Sequence, residues 1–163
     1  MTMTYFLHID GIHGDSLDRA HPKWHEVSDF SWGVTQSATP TGGGGGAGRP
    51  TLQPLIFSTP FTAALPLLFD ACVTGRTIPK AVLEAANDSA RAPVTYLKIE
   101  LEDVRVSSLS LAGSDGGLPA ESFALTYRHI GITAYTVDAA GRSPPEPASD
   151  SDDTRTSSSS IFR

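Results

Sequence analysis

The sequence has little cysteine, little positive charge and no long apolar run, and each shortage excludes a class of protein. Its single cysteine, Cys72, allows no internal disulfide and suits a reducing compartment. The formal charge of −6 leaves no basic footprint for nucleic acid. No apolar run approaches the roughly 20 residues of a membrane helix, and the opening MTMTYFLHID lacks the basic and apolar regions of a signal peptide. We therefore expect a chain that is made in the cytoplasm and does not insert into membranes.

Motifs for catalysis, nucleotide binding and metal binding are also missing. The glycine run is followed by Arg49 and Pro50 rather than by the Lys and hydroxyl residue of a phosphate loop. His21 and His25 are four apart, but Pro22 rules out the helical face that this spacing needs, so we expect surface or strand-paired histidines. The composition does not exclude a Ser-His-Asp site, because such a site is defined by geometry that the sequence does not show. The sequence contains no G-x-S-x-G motif. We expect no enzyme activity, no metal and no cofactor.

The pattern of apolar residues predicts one mainly β domain with one helix. Alternation predicts strands at 3–9, 25–37, 51–58, 78–86, 94–103, 104–111 and 122–137, the last with a shift at Gly131. The apolar stretch before Gly75 predicts a helix that begins at Ala64 or Leu65, because Pro66 is tolerated only in a first turn. Short strands at close spacing with one helix are typical of an antiparallel barrel or sandwich.

The stretch VSDFSWGVTQSATPTGGGGGAG, residues 27–48, is the most unusual part of the sequence. A strand pattern leads into a run in which six of seven positions are glycine. Ordering glycine costs more entropy than ordering any other residue, but glycine also lets another backbone come close. We therefore predict that this loop is a subunit contact made through its backbone, with Trp32 either as the anchor at its base or as an ordinary core residue. The predicted contact residues are Trp32, Gly42, Gly43, Gly44, Gly45, Gly46, Ala47, Gly48 and Arg49.

The C-terminal segment differs in composition from the rest of the chain. After Asp138 the residues AAGRSPPEPASDSDDTRTSSSS show no periodicity and few apolar side chains. Such a composition cannot bury enough surface to order itself. We predict a β domain at 1–138 and a disordered Ser/Asp/Pro-rich tail at 139–163.

Four segments together resemble the Hcp family, the tube protein of type VI secretion systems. They are YFLHIDGIHGDSLD, the pair DFSWGVTQS and GGGGGAGR, CVTGRTIPKAVLE, and YLKIELEDVRVSSLSLAGSDGGLPAESFALTY. The resemblance covers about Thr4 to Asp138, and the Trp-Gly segment with its glycine loop is the most specific part. The two prolines of STPFTAALPLL and the C-terminal tail depart from the family pattern.

The resemblance implies a tail-tube-like antiparallel β-barrel with one flanking α-helix. It implies six-membered rings that stack into a hollow tube, which a contractile sheath propels together with spike and baseplate components. It also implies small effector proteins carried in the lumen, and export by the type VI machine without a signal peptide. Two alternatives stay open at this point: a prophage or other contractile-injection tail-tube subunit, and a β-barrel enzyme or effector.

Overall fold

The fold is a set of antiparallel strands around one core, with a single helix in the described part of the chain. The computed structural model describes residues 3–36, 50–87 and 94–135, and the backbone of 158–162. The strands are β1 (Met3–Ile9), β2 (His25–Val27), β3 (Asp29–Ser31), β4 (Val34–Gln36), β5 (Pro50–Leu52), β6 (Leu55–Pro60), β7 (Ile78–Asn87), β8 (Val94–Ala112), β9 (Ala120–Thr126), β10 (His129–Ala134) and β11 (Ser158–Phe162). The helix, α1, spans Leu65–Thr74.

The strand pairing follows a closed path, as expected for a barrel. Strands pair in the order β2-β1-β7-β8-β9-β6-β3. The two end strands, β2 and β3, are consecutive parts of one segment, which pairs with β1 through its first half and with β6 through its second half. Between the two halves, the Ser28 amide donates a hydrogen bond to the Ser58 carbonyl at 2.8 Å. The pairing therefore returns to its starting strand, and the prediction of an antiparallel β-barrel with one flanking helix is confirmed.

The core lies inside this ring of strands, and the helix covers part of it. Phe57 of β6 and Phe123 of β9 are fully buried and their ring centroids are 5.4 Å apart. Leu68 and Ala71 of α1 are buried, and Leu68 alone contributes about 2 kcal/mol of apolar burial. The helix begins as predicted, with Pro66 in its first turn, and it ends at Gly75, whose φ of 65° is left-handed.

Three predicted strands are interrupted: 51–58 is divided into β5 and β6 around Pro54, which has no N–H to donate to a ladder, and the other two break where the chain changes its pairing partner. The predicted strand 25–37 is three strands in the structure, with its first break at Ser28 where the partner changes from β1 to β6. The predicted strand 122–137 breaks after Thr126 rather than at Gly131. There β9 and β10 follow one another along β8, which bends at Asp103 with a φ of 51°. Both breaks follow from contacts with distant segments, so the local pattern did not place them.

The prediction of a disordered tail is wrong for residues 158–162. These residues form β11, which pairs antiparallel with β10, with Ile130 opposite Ile161 and Thr133 opposite Ser158. A strand can be held by backbone hydrogen bonds to an open sheet edge, so a Ser-rich composition did not prevent it. Residues 139–157 lie outside the described residues, and for them the prediction stays a prediction.

Candidate subunit interface

The predicted contact residues fall into two groups. Gly42, Gly43, Gly44, Gly45, Gly46, Ala47, Gly48 and Arg49 lie outside the described residues. Trp32 is described, and Gly33 alone separates it from β4, the strand that leads toward the glycine loop. The structure therefore locates the two ends of the loop and the base on which it stands.

Strands β4 and β5 form a two-stranded hairpin that carries the loop. Thr35 pairs with Thr51, and Gln36 pairs with Pro50 where the described hairpin ends. All three residues of β4 are exposed, and so are the first two residues of β5. An isolated two-stranded hairpin is at best marginally stable in water. Its exposed faces therefore suit contact with another molecule.

A chain of hydrogen bonds fixes the base of this hairpin to the barrel. The indole Nε1–H of Trp32 donates to the Tyr127 hydroxyl at 2.7 Å. The Tyr127 hydroxyl donates to the Gln53 carbonyl at 2.7 Å, and the Gln53 amide donates to the Gly33 carbonyl at 3.0 Å. Buried Tyr127 lies in the chain between β9 and β10, so these bonds join the base of the hairpin to the connection between those two strands.

Trp32 combines the two roles that the sequence left open. Its side chain is half-buried and packs against the core, and its indole N–H is held by Tyr127. The tryptophan therefore packs against the core and also holds the base of the hairpin, and its part in a subunit contact stays a prediction. No local pattern indicated this partner, because Tyr127 is 95 residues away.

A second exposed surface, the apolar groove, lies between α1 and the end of β8. Its lining residues are Leu65, Pro66, Phe69, Leu109 and Leu111. Phe69 is 61% exposed and Leu111 is 51% exposed, and on the outer side of α1 Val73 is 69% exposed. The sequence of α1 has apolar residues on nearly all sides of the helix. This pattern was the available signal that some apolar side chains would face outward. Contiguous exposed apolar surface marks interaction sites.

Two histidines are buried, and one of them, His21, lies outside the strands and so departs from the expectation of surface or strand-paired histidines. His21 lies between two carboxylates, with Nδ1 at 2.9 Å from Asp18 Oδ1 and Nε2 at 2.7 Å from Glu84 Oε2. Its ring stacks on Phe6 with centroids 4.2 Å apart. We call Asp18, His21 and Glu84 the histidine clamp. It fastens the loop after β1 to strand β7.

Electrostatics within the clamp favour the charged imidazole. Burial lowers the pKa of His21, but the hydrogen bonds to Glu84 and Asp18 outweigh burial, so its pKa lies above the ordinary 6.5. Burial raises the pKa of Asp18, but the bonds from the His21 ring and from the His21 and Ala20 amides bring that pKa below 3.8. These carboxylates hold the loop after β1 against β7 through the two nitrogens of the His21 ring. The described ranges contain no group of three or more residues that could bind a metal ion.

His25 has the opposite environment. Its side chain is 1% exposed, and its Nε2–H donates to the Ile12 carbonyl at 3.0 Å. Nδ1 has no hydrogen-bond partner among the described residues. Burial lowers the pKa of His25, so the ring is neutral. Its place in strand β2 agrees with the strand-paired alternative.

A buried carboxyl group supports the start of the helix. Glu121 of β9 is 1% exposed, and its Oε1 accepts a hydrogen bond from the Thr62 amide at 3.1 Å. Burial raises the pKa of Glu121, because water no longer solvates the charged form. Asp15 accepts from the Ala63 amide at 3.4 Å beside it. Glu121 and Asp15 therefore satisfy amides ahead of α1 that the helix itself leaves unpaired.

The described residues include no helix with the length and apolarity needed to span a bilayer.

Comparisons with known proteins agree on one family. Residues 6–134 match the family described as type VI secretion system effector, Hcp. Protein hcp1 of Pseudomonas aeruginosa is 38% identical over 119 residues, which cover 71% of this chain and 72% of that protein. Hcp1 from Salmonella typhimurium superposes with a TM-score of 0.76 at 27% identity, covering 99% of this chain and 95% of that structure. A solved type six secretion system protein gives a TM-score of 0.81 at 25% identity, over 88% of this chain and 90% of its own. The chain therefore belongs to the Hcp family, the secreted tube proteins of type VI secretion systems.

Proposed function

We propose that this protein is the ring-forming subunit of a type VI inner tube. Six copies form a ring, rings stack into a hollow tube, and the tube leaves the cell with small effector proteins in its lumen. The contractile sheath, the spike and the baseplate are its partners in this process. The chain contributes shape and surface to the machine rather than reactive side chains.

The hairpin β4–β5 carries this proposal. It ends in a glycine loop, exposes most of its residues and is fixed to the barrel by Trp32, Tyr127 and Gln53. An exposed hairpin on a rigid base has a suitable shape for contact with a neighbouring copy. In a ring, each copy offers one surface to the copy before it and a different surface to the copy after it. We propose that residues 42–49 make one of these contacts.

The apolar groove supports the same proposal from a second surface. Phe69 and Leu111 lie on opposite sides of the groove and are both more than half exposed. Fully burying a side chain of this size is worth about 1.5–3 kcal/mol. Repeated around six contacts, such burial favours a closed ring over separate subunits.

The mass of the purified protein in solution tests the ring. Light scattering is expected to give about six times the mass of the 17.2 kDa chain, and negative-stain microscopy is expected to show annular particles with an open centre. A monomer at high protein concentration would refute the proposal.

A pair of loop variants tests the glycine contact. Gly44→Asp with Gly45→Asp is expected to weaken ring or stack formation while the thermal unfolding of the subunit is unchanged. Gly113→Asp is the matched control, because a Cβ at this exposed turn glycine meets nothing within 4 Å. Assembly that is equal in both variants would remove the loop from the interface.

A further inference from the structure

Strand β11 has an unusual connection to its partner. Thr133 of β10 lies directly opposite Ser158 of β11, so the two strands meet as the arms of a hairpin. Hairpin loops normally need two to five residues. Here the 22 residues 136–157 separate the described part of the chain from β11. The connection is far longer than the pairing requires.

The backbone pairing of β11 among the described strands is with β10. Among the described strands, β11 pairs with β10 alone, at the outer edge of the sheet. The closed path of the barrel runs through β8 and β9 and does not include β10 or β11. Removing β11 from its position therefore leaves the pairing path of the barrel complete.

The long connection reduces the usual advantage of pairing within one chain. The effective concentration of a tethered segment falls roughly as the −3/2 power of tether length, so 22 residues give about a tenth of the value for a four-residue turn. Fully extended, 22 residues can span at most about 75 Å. A β10 edge on an adjacent copy is within that reach, and it offers the same backbone groups as the chain's own edge.

We propose that, in the assembled protein, β11 of one copy pairs with β10 of a neighbouring copy. The exchanged strand makes the same register as the self-paired one, so exchange keeps the backbone pairing of β11 with β10 and links the subunits. This inference rests on the proposed assembly, because exchange needs a second copy within reach. It adds a specific link between copies, made by the last residues of the chain.

Two cysteine variants in a Cys72→Ser background test the exchange. Thr133→Cys and Ser158→Cys introduce cysteines at positions that face each other in the register. Directly opposed residues of an antiparallel pair have Cα atoms about 4.5–5.5 Å apart, which is within the range of a disulfide. The two variants are co-expressed, one of them with a size tag, and oxidised.

Disulfide-linked pairs of one tagged and one untagged chain are expected. If every strand is exchanged at random, about half of the Thr133→Cys chains carry such a link, and the double variant runs as linked multimers on a non-reducing gel. Ser110→Cys, an exposed position on β8, replaces Thr133→Cys as the control and should give no link to Ser158→Cys. Light scattering of the same samples measures assembly separately.

Two results would overturn the strand exchange. One is a double variant that closes its disulfide within single chains, and the other is the absence of links between co-expressed chains. If rings of six still form in either case, the exchange fails and the tube proposal stands. If the protein stays monomeric, the tube proposal fails with it.

Discussion

The substitution His21→Phe tests how much the hydrogen bonds of the histidine clamp stabilise the fold. Phenylalanine keeps a ring that can stack on Phe6 and meet Trp24, but it removes both nitrogens that face Asp18 and Glu84. The substitution therefore separates the packing of the ring from its hydrogen bonds.

The size of the effect follows from the two bonds that are lost. A hydrogen bond to a charged group contributes about 1.5–3 kcal/mol, so two give about 3–6 kcal/mol. The side chains of Asp18 and Glu84 are 22% and 18% exposed, and Asp18 keeps two backbone donors, so water and these amides recover part of the loss. We expect a loss of about 2–4 kcal/mol in the free energy of unfolding at pH 6. For a chain of this size that is roughly a 10 °C lower Tm.

The loss should depend on pH with a definite sign. Because the pKa of His21 is raised in the folded protein, its contribution is complete below 6.5 and declines as pH rises through the folded pKa. A neutral ring can donate from only one nitrogen, so about half of the contribution is lost at high pH. At the acid end, the contribution of Asp18 is lost as pH falls through its lowered pKa. The clamp therefore stabilises the fold most between about pH 4 and 6.5.

Urea unfolding of the wild type and His21→Phe at pH 6 and pH 9 measures both effects. The difference between the two proteins should be about twice as large at pH 6. Lys80→Met, which breaks an exposed 3.2 Å pair with Glu100, is the control and should cost less than about 1 kcal/mol. A His21→Phe loss that is equal at both pH values, or below about 0.5 kcal/mol, would show that the two hydrogen bonds of the charged His21 ring do not stabilise the fold in this way.

Three further predictions concern other buried groups. The wild type should lose stability below pH 6.5, because the buried neutral ring of His25 becomes charged there. In His25→Leu, urea unfolding should show that this loss is absent. For Glu121→Gln, calorimetry should show little loss or a gain in Tm at pH 7. The pKa of Glu121 is raised, so its ionisation destabilises the fold as pH rises through that pKa. A large loss in Tm would contradict this. For Gly14→Ala, the new Cβ would lie 2.4 Å from the Trp24 carbonyl oxygen, so the Tm should fall, whereas Gly113→Ala has free space and should leave it unchanged.

Elements whose signals are local could be predicted from the amino-acid sequence. Pro66 and Gly75 set the two ends of α1, because a proline in the first turn and a left-handed glycine act on their own backbone. The alternation along β8 predicts a core face of Leu97, Ile99 and Leu101, because successive side chains of a strand point to opposite faces. Ile99 and Leu101 are buried, and Leu97 packs against the core partly buried. The Trp-Gly segment and its glycine loop were recognisable for the same reason, since they are contiguous in the chain.

Contacts between distant residues could not be predicted in this way, because they depend on the folded arrangement of the whole chain. The clamp joins His21 to Glu84 across 63 residues, and the hairpin base joins Trp32 to Tyr127 across 95. The strand breaks near Ser28 and Tyr127 occur where a segment changes partner, and β11 is a strand because β10 offers it an open edge. Local patterns report the preferences of neighbouring residues, whereas these features depend on how the closed barrel brings separate segments together.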